Sequence, residues 1–167
     1  MSAPEDLHDL YIGELQDLWS ANDQMARVLK KIMPLASDEK LAAMLAESID
    51  GIAEHTALLK GLIASHDEEV KKEHCKGMEG LVNEAVKHTT EEAPPKGPVL
   101  DAQIIAQYQR MTHYGIAGFG TATAFAEALG YEDDAEKLDE ATAAIYDGDE
   151  DMTRLAESAV NDEAEAE

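Results

Sequence analysis

The sequence predicts an all-α fold, an antiparallel four-helix bundle made of two helical hairpins joined by a long crossover. Three observations carry this expectation. Four long stretches place apolar residues at alternating steps of three and four, the spacing of one helical face. No segment shows a sustained period of two rich in Val, Ile and Thr, so no strand is expected. Proline and glycine are sparse, and the strongest break is the run Pro94, Pro95, Gly97 and Pro98.

The first stretch runs from Glu5 to Met33, with Tyr11, Leu15, Leu18, Met25, Leu29 and Ile32 on one stripe. Pro34 ends it. The second runs from Asp38 to Ser65, with Ser37 expected as its N-cap, and carries Leu41, Leu45, Ser48, Ile52, His55, Leu59 and Leu62. A shorter pattern at Met78, Leu81, Val82, Ala85 and Val86 predicts a short helix inside a long connection. The third long stretch, Leu100 to Leu129, carries Ile105, Tyr108, Thr112, Gly115, Phe119, Ala122 and Ala126. The fourth, Asp133 to Val160, carries Ala135, Leu138, Thr142, Ile145, Asp149, Met152 and Ala156. Each helix would be about 40 Å long at 1.5 Å per residue. The breaks at Pro34 and Gly130 are short, which makes the flanking helices antiparallel neighbours. The connection over residues 66–99 is long enough to cross the bundle. That connectivity is the ferritin-like one.

A chain of 167 residues fits one domain and can bury a core without disulfides or a metal staple. Residues 1–160 are assigned to the bundle. Residues 161–167 lack apolar periodicity and are expected to be a frayed acidic tail. From Tyr131 onward there are 15 Asp or Glu residues against only Lys137 and Arg154. The whole chain holds 36 acidic and 13 basic residues, a formal net charge of −23. Such a chain suits neither nucleic acid nor an anionic membrane surface as a partner. No apolar run reaches the length of a membrane span, and the acidic start lacks a signal peptide's pattern. The lone Cys75 excludes an internal disulfide and is compatible with a reducing cytoplasm.

The polar residues on the inward stripes are the informative ones: Asn22, Ser48, His55, Thr112 and, one turn beyond Ile145, Asp149. In a ferritin-like di-metal centre these central layers carry a carboxylate from each of two helices and Glu-x-x-His from the other two. Two hard cations need that negative charge.

Three segments resemble the YciE/YciF family of ferritin-like proteins. They are Leu15-Gln16-Asp17-Leu18-Trp19-Ser20-Ala21-Asn22-Asp23-Gln24, Cys75-Lys76-Gly77-Met78-Glu79-Gly80-Leu81, and His113-Tyr114-Gly115-Ile116-Ala117-Gly118-Phe119-Gly120-Thr121. With the closing Leu155-Ala156-Glu157, the resemblance spans nearly the whole chain. It implies a ferritin-like bundle, dimers, and a bacterial, cytoplasmic, stress-associated role. Glu14, His55 and His113 match the residues the family places at the corresponding positions. Asn22, Thr112 and Gly115 stand where the family has Glu, Ser48 where it has His, and Ala143-Ala144-Ile145 where it has a Glu-rich stretch. The resemblance therefore implies a kept fold with the carboxylate constellation dismantled.

Each remaining candidate has a plainer structural account. His55, beside Glu54 on the second helix, is the best residual metal ligand. A core histidine bonded to Asn22, Thr112 or a helix carbonyl explains it more simply, because a buried polar group needs one partner and a metal needs several. His113 fits a helix interface. Glu14 is expected near the bundle end, hydrated or paired, because a buried lone carboxylate is costly. His74 and Cys75 offer two ligands where a structural zinc needs four. Asp147-Gly148-Asp149-Glu150-Asp151 fails as a calcium loop, with Met152 and Ser158 where Gly and Glu are required. Gly115, Gly118 and Gly120 do not open a helix after a strand, so they form no phosphate loop and are expected to let helices approach.

Three functions follow. The first is a non-catalytic ferritin-like bundle, with no metal or cofactor expected. The second is an iron- or manganese-binding, ferroxidase-like oxidoreductase whose reduced site draws on Glu14, Glu54, His55 and His113. The third is an acidic solubility or protection protein.

Overall fold

A computed structural model describes residues 3–166, and among these no strand occurs. The helices are α1 (Leu7–Ile32), α2 (Glu39–Ser65), the short α3 (Lys76–Val86), α4 (Pro98–Leu129), α5 (Glu132–Leu155) and α6 (Asn161–Glu165). A 3-10 turn, Met33–Leu35, follows α1, and π-helical turns follow α3 (Lys87–Glu91) and join α5 to α6 (Ala156–Val160). The architecture is the expected bundle of two hairpins and one long crossover holding a short helix. Among the described residues no helix is long and apolar enough to cross a membrane.

Local chemistry sets the helix ends. Asp6 caps α1 by accepting from the Asp9 amide at 2.9 Å. Asp38, not Ser37, caps α2, accepting from the Leu41 amide at 2.7 Å. Ser37 is unavailable because its amide and hydroxyl both donate to the Asp101 carboxylate. Pro98 opens α4, where a missing N–H costs nothing. Gly130 ends it in the left-handed region at φ 75°, and the Tyr131 amide closes back on the Ala126 carbonyl at 2.9 Å. The expected frayed tail is corrected in one respect: the chain stays helical through Glu165, following a π-turn that buries Ala156 and Val160, while α6 itself buries no residue. Glu167 lies outside the described residues.

Side-chain pairs fix the helix directions. His113 with Asp149 and Gln109 with Thr153 run α5 antiparallel to α4. Ser48 with Tyr108 and His55 with Phe119 run α4 parallel to α2 across the bundle. α1, antiparallel to α2, is therefore also antiparallel to α4. The crossover is held to α1: the Cys75 amide donates to Ser20 Oγ at 3.0 Å, and Gln24 Nε2 donates to the Cys75 carbonyl at 2.9 Å.

The apolar interior has two parts. One is built around Leu29, Ile32, Leu41, Leu45, Ile104 and Leu155. The other is built around Leu15, Leu18, Leu59, Phe119, Ala126 and Leu138. A buried aspartate braces each end. Asp101 is 2% exposed and accepts from the amides of Ser37 (2.8 Å) and Asp38 (2.9 Å), pinning the α1–α2 turn to the start of α4. At the other end Asp134 accepts from Tyr11 Oη at 2.9 Å and pairs with His66 Nε2 at 2.7 Å.

Of the three glycines expected to permit close helix approach, only Gly118 does so. A Cβ there would lie 2.5 Å from Leu18 Cδ2 and 3.1 Å from Glu14 Oε1, whereas Gly115 and Gly120 have nothing within 4 Å. Leu18 is fully buried and has little room to turn away. Gly118→Ala is expected to lower the melting temperature, since overpacking costs about 1–3 kcal/mol. Gly115→Ala is expected to raise it, because the better helix former gains about 0.5–1 kcal/mol without a clash. Thermal unfolding followed by circular dichroism checks both signs.

Candidate functional site

The central layers of the four stripes converge on one cavity of about 580 Å³. Asn22, Ser48, His55, Thr112, Gly115 and Ile145, picked out from the sequence as inward polar or replaced positions, line it, whereas Asp149, read on the same stripe as Ile145, does not and bonds His113 instead. α1 and α4 supply its floor through Asn22, Met25, Met111 and Thr112. α2 and α5 flank it with small residues, Ala43 and Gly51 on α2 and Ala144 and Gly148 on α5. The cavity opens between those two helices, where Ala43, Glu47, Glu54, Ala144 and Asp151 are exposed.

Its polar atoms are sparsely satisfied. Ser48 donates to the Met44 carbonyl and lies 2.9 Å from Tyr108 Oη. Asn22 Nδ2 and Thr112 Oγ1 are buried with no hydrogen-bond partner in the protein, although their residues are only 8% and 3% exposed. The expectation for His55 is corrected. It is half-buried and has no hydrogen-bond partner among the described residues; its ring tilts against Phe119 with centroids 5.6 Å apart. The cavity separates it from Asn22 and Thr112, which is why none of the three bonds another. Burial lowers the His55 pKa, with neighbouring Glu54 opposing, so the neutral imidazole is favoured.

The four residual metal candidates are not brought together. Glu54 and His55 border the cavity, Glu54 as an exposed residue at its mouth. Glu14 is half-buried on the α1–α4 seam beside Gly118, one turn along α1 from Tyr11, and burial, with Asp17 adding, raises its pKa. His113 is exposed and bonds Asp149 Oδ2 at 2.9 Å across α4 and α5. Among the described residues no three His, Cys, Asp or Glu side chains gather in a way that could hold a metal ion. The cavity's donor set therefore does not fit a pair of hard divalent cations, which needs several bridging carboxylates.

Two side-chain networks were not visible in sequence. Tyr11, His66 and Asp134 form the end brace, and burial with the Asp134 bond raises the Tyr11 pKa, keeping it a donor. Cys75 Sγ lies 3.0 Å from Tyr114 Oη, which donates to Asp17 Oδ2 at 3.1 Å. Burial raises the Cys75 pKa, so the thiol donates along this chain. Asp17, Cys75 and Tyr114 each sit inside a family-like segment, but nothing in one sequence says that these segments meet. His74, by contrast, faces solvent and pairs with Glu79, away from any joint site with Cys75.

Two hairpins, a long crossover and a polar central layer define a ferritin-like bundle. Known proteins agree and narrow the class. The family model described as a domain of unknown function (DUF892) matches residues 6–165. Protein YciF of Escherichia coli strain K12 is 34% identical over 169 aligned residues, covering 95% of each sequence. The crystal structure of the Escherichia coli stress protein YciF matches with a TM-score of 0.87 and 32% identity, over 95% of this chain and 99% of that one. YcfI from Rhodopseudomonas palustris matches with a TM-score of 0.85 and 27% identity, over 92% and 97%. The chain belongs to this family, the ferritin-like YciE/YciF proteins.

Two pH effects follow. A carboxyl whose folded pKa is raised favours folding only while protonated, and that contribution is lost as pH rises through the folded value. Glu14→Gln is therefore expected to raise the melting temperature at pH 7, with the gain vanishing below the ordinary carboxylate range. His55 has the opposite sense. Its stabilising neutral form is fully present above about 6.5, the ordinary imidazole value, and is lost as pH falls through the lower folded value. Titration of the His55 ring by NMR should show a midpoint below the ordinary value, and His55→Gln should flatten stability against pH there.

Proposed function

We propose that the protein is a non-catalytic member of the YciE/YciF family in which the di-metal centre of ferritin-like bundles has been lost. Its role would be stress-associated, as the relative from Escherichia coli is described. The observation that carries this reading is the neutral central layer. Asn22, Thr112, Gly115 and Ile145 line the space that four helices enclose, and none brings a charge. Two divalent cations a few ångströms apart repel strongly, and in a low-dielectric interior only several carboxylates offset that repulsion.

Of the four candidates, a reduced one-metal site could draw only on His55 and Glu54, since Glu14 and His113 do not border the cavity. Elemental analysis of protein purified without an affinity metal separates the two readings. Less than stoichiometric iron and manganese is expected. Chelation should leave the melting temperature unchanged, and ferrous iron should oxidise no faster with the protein than in buffer. Restoring charge is the complementary test. The triple variant Asn22→Glu, Thr112→Glu and Ile145→Glu should be destabilised without metal, chiefly through Asn22→Glu and Thr112→Glu, because an unpaired carboxylate at a buried position costs several kcal/mol. Two tightly bound irons per unmodified chain would overturn the reading.

A further inference from the structure

The central cavity is drawn out along the helix axes. On α2 its lining runs from Lys40 to His55, a span of about 22 Å at 1.5 Å per residue. A volume of about 580 Å³ spread over that length is a channel, suited to an extended chain, and it opens to solvent between α2 and α5. Five of the chain's seven methionines line it: Met25, Met44, Met78, Met111 and Met152. They make a wall that is apolar and adapts its shape to what it touches.

Charge distinguishes the two ends of this channel. α5 runs antiparallel to α2, so Arg154 lies toward the Lys40 end, where it already pairs with Glu150 and Asp151. Lys40 stands about 21 Å along α2 from Glu54, well beyond the reach of screened attraction at physiological salt. At the other end Glu54 and His55 share the cavity with Ala144 and Ile145 of α5, which carry no charge. Glu54, and Glu47 two turns before it, have no ion-pair partner among the described residues. Lys60, the next cation along α2, is held over the Trp19 ring at 4.5 Å. His55 favours its neutral form and supplies no counter-charge. An apolar channel therefore ends at an exposed carboxylate without a cation, in a chain whose net charge of −23 draws cations toward it. We propose that the cavity binds an amphipathic organic cation, its linear apolar tail among the methionines and its head group at Glu54. This goes beyond the loss of a metal centre and is tested without reference to metal content.

The experiment uses the full chain with 13C-labelled methionine methyl groups. The probes, each below its micelle concentration, are decyltrimethylammonium, 1-decanol, which lacks the charge, decanoate, which reverses it, and tetramethylammonium, which lacks the tail. Decyltrimethylammonium is expected to shift the five cavity methyls and leave Met33, outside the cavity, unmoved. Tetramethylammonium should shift none of them. 1-Decanol should bind about twofold to fivefold more weakly than the cation, the worth of one exposed charge pair, and decanoate more weakly still. Glu54→Gln should remove the advantage of the cation over 1-decanol while leaving 1-decanol binding unchanged. Gly51→Leu and Gly115→Leu each send a side chain into open space within the channel. Either variant, once circular dichroism shows it folded, should lose binding of both tailed probes. The proposal is overturned if the cavity methyls do not respond to decyltrimethylammonium, if Met33 responds equally, or if a folded glycine variant binds it unchanged. Equal affinity for 1-decanol or decanoate, or an unaltered preference in Glu54→Gln, overturns the assignment of the head group.

Discussion

A carboxylate can be buried in a helical bundle only where donors converge on it, and the structure is organised by that constraint. Removing an ionised carboxylate from water costs several kcal/mol unless hydrogen bonds or an opposite charge replace the lost hydration. Asp101 meets the condition with two backbone amides and a serine hydroxyl, at the N-terminal turn of α4 where the helix dipole also favours negative charge. Asp134 meets it with a tyrosine hydroxyl and a histidine ring. Both bring segments distant in sequence together at the ends of the bundle. Glu14, lacking such partners, responds to burial by holding its proton more tightly. At the centre, where no donors converge, the chain places Asn22 and Thr112 instead of carboxylates.

The segments that carry the family resemblance have a common structural task. Asp17, Ser20 and Gln24 from α1, Cys75 from the crossover, and Tyr114 from α4 are joined by hydrogen bonds. Gly77 belongs to the same arrangement, since a Cβ there would lie 2.7 Å from the Tyr114 ring. These contacts fasten the connection between the two hairpins to both of them. Asp17, Ser20, Gln24, Cys75 and Tyr114 do not line the central cavity. The fold is therefore held by parts separate from the positions where metal ligands would stand, so those positions can change without disturbing the crossover.

That separation also explains what was readable beforehand. Helix number, order and the crossover follow from periodicity, which is local. The inward stripes also brought the right residues to the cavity, because a helical face is determined by spacing alone. What the spacing could not show was the distance across the bundle. His55 faces the expected neighbours but does not reach them. Ser37 has the chemistry of an N-cap, yet Asp101, 64 residues away, takes its donors. The acidic end near Asn161 looked too polar to stay ordered. The helix continues through Glu165 after a π-turn that keeps Ala156 and Val160 inward, a local geometry that polarity alone does not reveal. The Ser37 difference arises from a contact between segments far apart in the chain, and the His55 difference from a separation between helices that spacing along one helix does not encode.

The cavity itself is a consequence of size and polarity acting together. A sealed, dry void costs about 24 cal/mol per Å³, so 580 Å³ would cost on the order of 14 kcal/mol. That rivals the whole stability of an ordinary domain. A space of this volume is therefore compatible with the fold only if it communicates with solvent or is filled. The seam between α2 and α5, with Ala43, Gly51, Ala144 and Gly148 along it, provides the communication. The cavity wall is part of the core itself: Met25, Met78, Met111 and Met152 line the space and belong to the same apolar cluster as Leu29, Ile32 and Leu41, so the packing that holds the bundle together also holds the central layer open.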